Sequence, residues 1–426
     1  MLTRKNQFFY GWVIVGVSFI NLAITFGIWY SFSVFFVAII KEFGWSRAAT
    51  AGVFSCFMLV HSISAVLIGA FLDRLSPRVI FPVAACIVAT GLFASGSINA
   101  LWQFYLWYGI LTPIGICAIG FIAHGIILPK WFDRQRGLAM GIAMAGIGLG
   151  MQLLVPATQF FISSWGWRSA YIALAVLILV VLIPLNIIFQ RKNPEEVGQK
   201  SDGSTLNKTA KQSKSFSPPR AVPKIPPIAG TIREAMKTKP FWFLAASFFF
   251  TPMAIQGTLI HQVASVMDKG FSAAEGAFFF GLAGIIGSAG KIIFGHLSDM
   301  IGREKAFALG LSCAFLGVVS LLILEPGRGA LLYAYAVLFG LGYGSIAPIF
   351  PARQADLFLG PHFGKITGVL SLAGGAGGAM GVWLNGKIFD LTASYSLSFI
   401  ISLCAIVMAV TFFRLSGSST HRRSAL

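Results

Sequence analysis

Lys291 is the one lysine or arginine that stands well inside an apolar stretch of the chain, in GIIGSAGKIIFGHLSD. An ammonium group held away from water costs a few kcal/mol, so a cation in such a place marks a pathway or an anion site. The competing reading is a snorkelling side chain, because Lys291 lies one turn from the end of its stretch. Three other groups inside apolar stretches can titrate near neutrality: His61, His124 and His261. For each, a hydrogen bond to a neighbouring helix is the alternative to a place in a cavity. No Asp or Glu lies deep in any apolar stretch; Asp73, Asp299 and Asp356 fall at ends of one kind, Glu42, Asp268 and Glu275 at ends of the other. One buried cation without a buried acid suggests that Lys291 both binds an anion and carries a proton. A carboxylate beside it favours the ammonium, an empty site the neutral amine. Tyr30, Gln152, Gln256 and Tyr343 are further polar candidates, with an interface-belt aromatic or a helix-to-helix hydrogen bond as alternatives.

Other chemistries find no support. Cys56, Cys86, Cys117, Cys313 and Cys404 all lie in apolar stretches, without metal or CxxC spacing, and read as small apolar residues. LAGGAGGAMG has no Lys-Ser/Thr after it and no strand before it, so it is not a phosphate loop. No His/Asp cluster or Ser–His–Asp set marks an enzyme, and no metal or cofactor is expected.

The elements that must position these residues follow from composition. Of 426 residues, 56% are hydrophobic and 11% charged, where soluble domains carry roughly a quarter as charges. There are 40 Phe and 47 Gly, and the mean hydropathy is +0.80. A span needs roughly 20 apolar residues. Stretches of that size fall at 9–33, 48–72, 78–98, 101–128, 137–161, 169–189, 241–265, 273–296, 305–324, 329–352, 365–386 and 393–413. This predicts an all-α membrane protein of twelve transmembrane helices, with kinks expected around Gly109–Pro113 and Pro348–Pro351. No cleavable signal peptide is expected, since the first stretch is a full span followed by others.

Residues 190–239 are polar and rich in Pro and Lys, and cannot bury enough apolar surface to fold alone. They read as a linker between a bundle over 1–189 and another over 240–414, with a tail at 415–426. TIREAMKTKP within the linker is a candidate short interfacial helix. The net charge of +18 could suggest nucleic acid, but the cations sit in short clusters between apolar stretches, as orientation signals do. With a cytoplasmic N-terminus, 25 of the 32 Lys and Arg fall on the cytoplasmic side. Both termini are therefore expected in the cytoplasm, in a plasma (inner) membrane, with no nucleic-acid partner.

The halves repeat. Gly44-Trp45-Ser46 matches Gly270-Phe271-Ser272, GAFLD from Gly69 matches GHLSD from Gly295, and Trp131-Phe132 matches Leu357-Phe358, each pair 226 residues apart. Three coincidences at one offset argue for a duplicated six-helix unit, hence two pseudo-symmetric bundles. Parallel repeats of this kind are a transporter architecture.

GAFLDRLSPR (Gly69 to Arg78) and GHLSDMIGREK (Gly295 to Lys305) resemble the loop motif of the major facilitator superfamily, Gly-x-x-x-Asp-Arg-x-Gly-Arg-Lys. The first copy has Ser76-Pro77 where Gly is usual. FYGWVIVGVSF in the first span and WFDRQRGLAMGIAMAGIGLG opening the fifth resemble signatures of monocarboxylate transporters and their bacterial relatives, the oxalate–formate exchanger among them. The resemblance implies a major facilitator fold and alternating-access transport of a small organic anion, proton-coupled or exchanging, by a monomer in the bilayer. It implies that Lys291 binds the substrate carboxylate and that Tyr30 faces the substrate. His261, His124, Gln152 and Tyr343 are the remaining expected cavity residues. Gly69, Asp73, Arg74, Gly295, Asp299 and Arg303 are implied to form a cytoplasmic gate, with Arg353 close by; plain charge topology is the alternative. Three departures stand out. Gly287 replaces the Asp of the animal carriers, Lys291 stands where Arg is common, and VLSLAGGAGGAMG lacks the second cation of the oxalate exchanger. One cation suits a monoanion. The glycines Gly137, Gly141, Gly146 and Gly150 are expected to permit close helix packing. An exporter of amphipathic or aromatic compounds and a non-transporting membrane sensor are the competing readings.

Overall fold

The computed structural model describes residues 9–132, 135–201, 232–358 and 363–421. Among these there is no strand. The long helices are α1 (Gly11–Phe43), α2 (Arg47–Arg74), α3 (Pro77–Ser95), α4 (Leu101–Trp131), α5 and α6 (together Arg136 to Phe189), α7 (Lys239–Asp268), α8 (Ala273–Ile301), α9 (Arg303–Leu322), α10 (Ala330–Phe358), α11 (Phe363–Thr392) and α12 (Ser396–His421).

By apolar length alone, eleven segments are found, because 137–189 counts once. That segment has 53 residues, about 80 Å of helix at ~1.5 Å per residue, against a hydrocarbon core of ~30 Å. Gly166, at φ 81 and ψ 160, breaks it. Two crossings result, α5 over 136–165 and α6 over 167–189, which makes twelve among the described residues. Trp167 Nε1 and Arg168 both donate to Glu42, which fastens the turn to the end of α1.

The helix ends repeat as the sequence does. Gly44 and Gly270 both take positive φ, 65 and 87. Two residues on, Ser46 and Ser272 cap α2 and α8, accepting from Ala49 N and Glu275 N. A side-chain oxygen at this position satisfies an amide that the helix leaves unpaired. Gly302 enters α9 at φ 90, whereas the first copy solves the same turn with an extended Ser76 and Pro77 at the first helical position. The Ser76-Pro77 departure therefore has a local rationale, since Pro is pre-set for that position. Trp131, Phe132, Leu357 and Phe358 are all buried.

Several boundaries differ from the sequence reading. α1 continues ten residues past position 33, because Val34–Ile40 remain apolar and no breaker precedes Gly44. α12 runs on to His421, so part of the expected tail is helical. α4 contains a π-helical stretch at Tyr105–Leu111 and a break at Gly120, which accounts for the expected kink. Pro348 and Pro351 lie inside a continuous α10. Within the linker, Pro194–Val197 form a short 3-10 turn and Ile232–Met236 a short helix; residues 202–231 lie outside the described residues.

Packing within and between the bundles follows one circuit: α1 on α5, α5 on α8, α8 on α10, then α7 on α11 and α11 on α2. Glycines allow the closest approaches. A side chain on Gly146 or Gly150 would run into the α1 backbone at Phe19 and Ala23, and one on Gly377 or Gly381 into the α7 backbone at Phe249 and Met253. Gly137 and Gly141 face open space, so the expected glycine packing holds for only half of the α5 set.

Candidate functional site

Lys291 points away from lipid. Ile292 and Ile293 beside it are 68% and 52% exposed, and a helix turns about 100° per residue, so Lys291 lies on the opposite side of α8. Its Nζ is buried without a hydrogen-bond partner. It sits 5.7 Å from the centre of the Tyr343 ring on α10, within cation–π range. Tyr343 Oη in turn lies 2.7 Å from Tyr30 Oη on α1. This bond joins the two bundles at mid-span. Tyr30 also packs on Phe280 of α8, ring centres 5.8 Å apart, and Gln256 of α7 reaches it. Gly287 is explained here: a Cβ would stand 2.9 Å from Tyr343 Cδ1. The tyrosine ring takes the space that a side chain at position 287 would fill.

Around this line several polar atoms are buried with their hydrogen-bonding capacity unused by the protein. They are Ser288 Oγ, Gln152 Oε1, Gln256 Oε1 and Trp29 Nε1. A buried unpaired polar group costs about 1–3 kcal/mol, and folding rarely tolerates a group of them without a reason. With Lys291 they supply what a small anion needs: a cation, hydroxyls and amides, and aromatic walls for its apolar part.

The other expected residues are placed differently. His261 is buried, but Nδ1 lies 2.9 Å from Tyr395 Oη and Nε2 2.8 Å from Val382 O. Both nitrogens are spent on tying α7 to α11 and to Tyr395 at the start of α12, so the structure does not leave the ring free for a ligand. His124 is buried against Phe81 of α3, ring centres 5.3 Å apart, and neither nitrogen is hydrogen-bonded. It faces its own bundle rather than the Tyr30–Tyr343 line. Gly69, Asp73 and Arg74 fall outside the described side chains. In the second copy, Gly295 packs near Pro348, and Arg303 pairs with Asp299 and reaches Asp356 at 3.5 Å. Arg353 pairs with Glu304 at 2.7 Å and contacts Ser416. These pairs stitch α8, α9, α10 and α12 together inside one bundle.

Among the described residues, an ion pair between the bundles lies at the opposite end, which the sequence reading missed. Arg47 opens α2, and its side chain binds Asp268, the last residue of α7. It also donates to Tyr395 Oη at 2.8 Å and lies over the Phe389 ring at 3.5 Å. Asp390 of α11 accepts from the backbone N–H groups of Arg47 and Ala48, both at 2.8 Å, so it caps α2 from the other bundle. Asp268 stands 226 residues after Glu42; that pairing of equivalent acids was the one available signal, with Glu42 held within its own bundle and Asp268 held across. Further inward, Ser55 Oγ donates to Ala379 O at 2.7 Å, Met58 and Ser62 lie on Gly378 and Gly375, and Ser288 lies on Gly148. Towards the linker end, Gly16, Gly137, Gly141 and Gly368 have open space beside them.

Comparison with known proteins agrees with this architecture. The model of the Major Facilitator Superfamily matches residues 18–382. The chain is similar to monocarboxylate transporter 13 of Bos taurus, 25% identical over 401 residues, covering 92% of this chain and 86% of that one. It is also similar to monocarboxylate transporter 2 of Homo sapiens, 23% identical over 420 residues, covering 97% and 86%. Among solved structures, a bacterial homologue of the human lysosomal transporter Spinster, in an inward-facing and occupied conformation, aligns over 96% of this chain and 97% of that one. Its TM-score is 0.72 at 15% identity, a likeness of fold. Twelve crossings in two repeated bundles, the two loop-motif copies and the family match together place this chain in the Major Facilitator Superfamily, as a multi-pass membrane transporter related to the monocarboxylate transporters.

Proposed function

We propose that the protein is a secondary transporter of small organic monocarboxylates, working by alternating access, with Lys291 as the residue that binds the carboxylate. The observation that carries this is the buried, unpaired Lys291 Nζ over Tyr343, whose hydroxyl meets Tyr30 of the other bundle at mid-span. A carboxylate there would pair with the ammonium and could take a hydrogen bond from Tyr343, while Gln152, Gln256 and Ser288 offer further polar contacts. The relationship to monocarboxylate transporters supports the substrate class. A single cation favours a monoanion, moving with a proton or against another anion. The excess of Lys and Arg on the linker side supports cytoplasmic termini in a plasma membrane, which makes the Arg47 end the external one.

Uptake into proteoliposomes of radiolabelled lactate, pyruvate, formate, oxalate and benzoate tests the reading. Saturable uptake of at least one monocarboxylate is expected, and Lys291→Ala should lower it by at least about tenfold, the size of one lost charged hydrogen bond. Absence of saturable uptake for every acid would sink the transport reading. Uptake indifferent to Lys291→Ala would keep the function and discard the site.

A further inference from the structure

We infer that His61 on α2 is the proton-binding site of the transport cycle, facing the same lumen as Lys291 from the other bundle. The inference rests on the carboxylate reading above and adds the group that carries the proton.

Geometry leads to His61. Leu59 and Ile63, two residues to either side, are 43% and 58% exposed and define the lipid face of α2. At 100° per residue, His61 lies on the opposite face. There its ring meets Trp29 of α1 edge-on, centres 4.9 Å apart, and stacks on Phe57 one turn back. Trp29 adjoins Tyr30, the residue that meets Tyr343. On the flank, Met58 and Ser62 touch α11, so the ring looks inward between α1 and α11. His61 is half-buried. Neither ring nitrogen is hydrogen-bonded, and unlike those of His124 they are not sealed from water.

The repeat makes the relation to Lys291 explicit. Inward of Arg47 and Ala48, the α2 residues Ser55, Met58 and Ser62 touch the other bundle; their equivalents 226 residues on are Gly281, Gly284 and Ser288, which touch α5. His61 is therefore the counterpart of Gly287, one helical turn from Lys291 on the same face of α8. By the repeat, His61 and Lys291 stand one helical turn apart on corresponding faces of α2 and α8.

The groups around His61 leave it the titrating member of its surroundings. α1 contributes Trp29 and Tyr30, and its own helix Phe57 and Ser62. At the contact with α4 stand Tyr108, stacked on Phe57, with Cys56 and Tyr105 beside it. α11 has no ionisable side chain between Lys365 and Lys387, and the other bundle contributes Lys291 of α8 over Tyr343 of α10. Asp73 and Arg74 lie three turns further along α2. No carboxylate of these elements comes near mid-span, so imidazole is the one group there whose ordinary titration falls in the physiological range.

Charge accounting gives the mechanism. The empty carrier holds Lys291 as ammonium and His61 neutral, net +1 at the site. Binding one proton on His61 and one monocarboxylate on Lys291 again leaves +1. Both reorientations then move the same charge, so the anion and proton travel together without net charge displacement, and the bound carboxylate helps to hold the proton on His61.

The test uses the full-length protein in liposomes with radiolabelled formate, pyruvate and L-lactate. Two rates are read: exchange against the same acid inside at equal pH, and accumulation driven by an inward proton gradient. His61→Gln and His61→Phe, one polar and one matching the aromatic wall, should keep exchange within about twofold and lose proton-driven accumulation by at least about tenfold, because neither side chain titrates. Lys291→Arg, which stays charged, should retain whatever accumulation its exchange rate allows. Full accumulation in both His61 variants, loss of exchange together with accumulation in both, or accumulation lost in Lys291→Arg with exchange kept would each overturn the inference. Wild-type protein that moves none of the three acids in either assay would instead remove the carboxylate reading, and this inference with it.

Discussion

Arg47 and Asp268 form a two-pronged ion pair between the bundles, with Nη1 to Oδ2 at 2.7 Å and Nη2 to Oδ1 at 2.9 Å. The arginine side chain is 17% exposed and the aspartate 36%, so solvent screens the pair only in part. Together with the Phe389 contact it contributes on the order of 1 kcal/mol to holding this end shut. Arg47→Ala should therefore raise the population open at this end by about fivefold. Spin labels on cysteines at Lys41 and Lys387, one per bundle at the same end, would report it as a longer-distance component. An unchanged distance distribution would mean that the Asp390 cap alone suffices.

Gly150 and Gly141 share a helix but differ in surroundings. Gly150→Ala drives a methyl group into the α1 backbone at Ala23, whereas Gly141→Ala meets nothing. The first should cost about 1–3 kcal/mol through forced helix separation, the second gain up to ~1 kcal/mol from helix propensity. Thermal unfolding of the purified protein in detergent should place Gly150→Ala several degrees below Gly141→Ala.

His261→Phe removes both bonds of a buried ring, the one to Val382 O and the one to Tyr395 Oη. A loss of about 2–3 kcal/mol is expected, visible as a lower melting temperature. The KM for the transported acid should stay within about twofold, because both ring nitrogens are already bonded within the protein. A large rise in KM with stability intact would return His261 to the binding site.

Gly287→Asp restores the acid of the animal carriers in a site built without it. Its Cβ would press on Tyr343, and its carboxylate would pair with Lys291 in place of substrate. Uptake should fall at least about tenfold. The double variant Gly287→Asp with Tyr343→Ala should regain part of it if crowding is the cause, and none if neutralisation of Lys291 is.

Much of the bundle is legible in the sequence because lipid imposes a coarse rule: backbone must be helical and its exterior apolar. The 226-residue offset likewise shows, and the caps at Ser46 and Ser272 repeat in three dimensions. Lys291, Tyr30 and Tyr343 stand out as polar residues in apolar stretches. Their arrangement does not, since the Tyr30–Tyr343 bond joins positions 313 residues apart. Histidine is the least readable type: His61, His124 and His261 look alike in sequence, and only packing separates a brace from a half-buried ring without a hydrogen-bond partner. Arg47 reads as one more flanking charge until Asp268, Asp390 and Tyr395 converge on it.

The surfaces that join the two bundles carry their own history. Met58 of α2 lies on Gly378 of α11, and Gly284 of α8 lies on Met151 of α5. Subtracting the repeat turns each contact into the other to within a residue. Each bundle thus offers the same patch and receives the same patch, which is the self-complementary interface of a two-fold homodimer. A free six-helix chain bearing that patch would have been able to pair with itself, and the segment 190–239 would then act as a tether that makes an association once dependent on concentration intramolecular. Joined in one chain, the two copies need not stay alike, and here one carries Lys291 and the other His61.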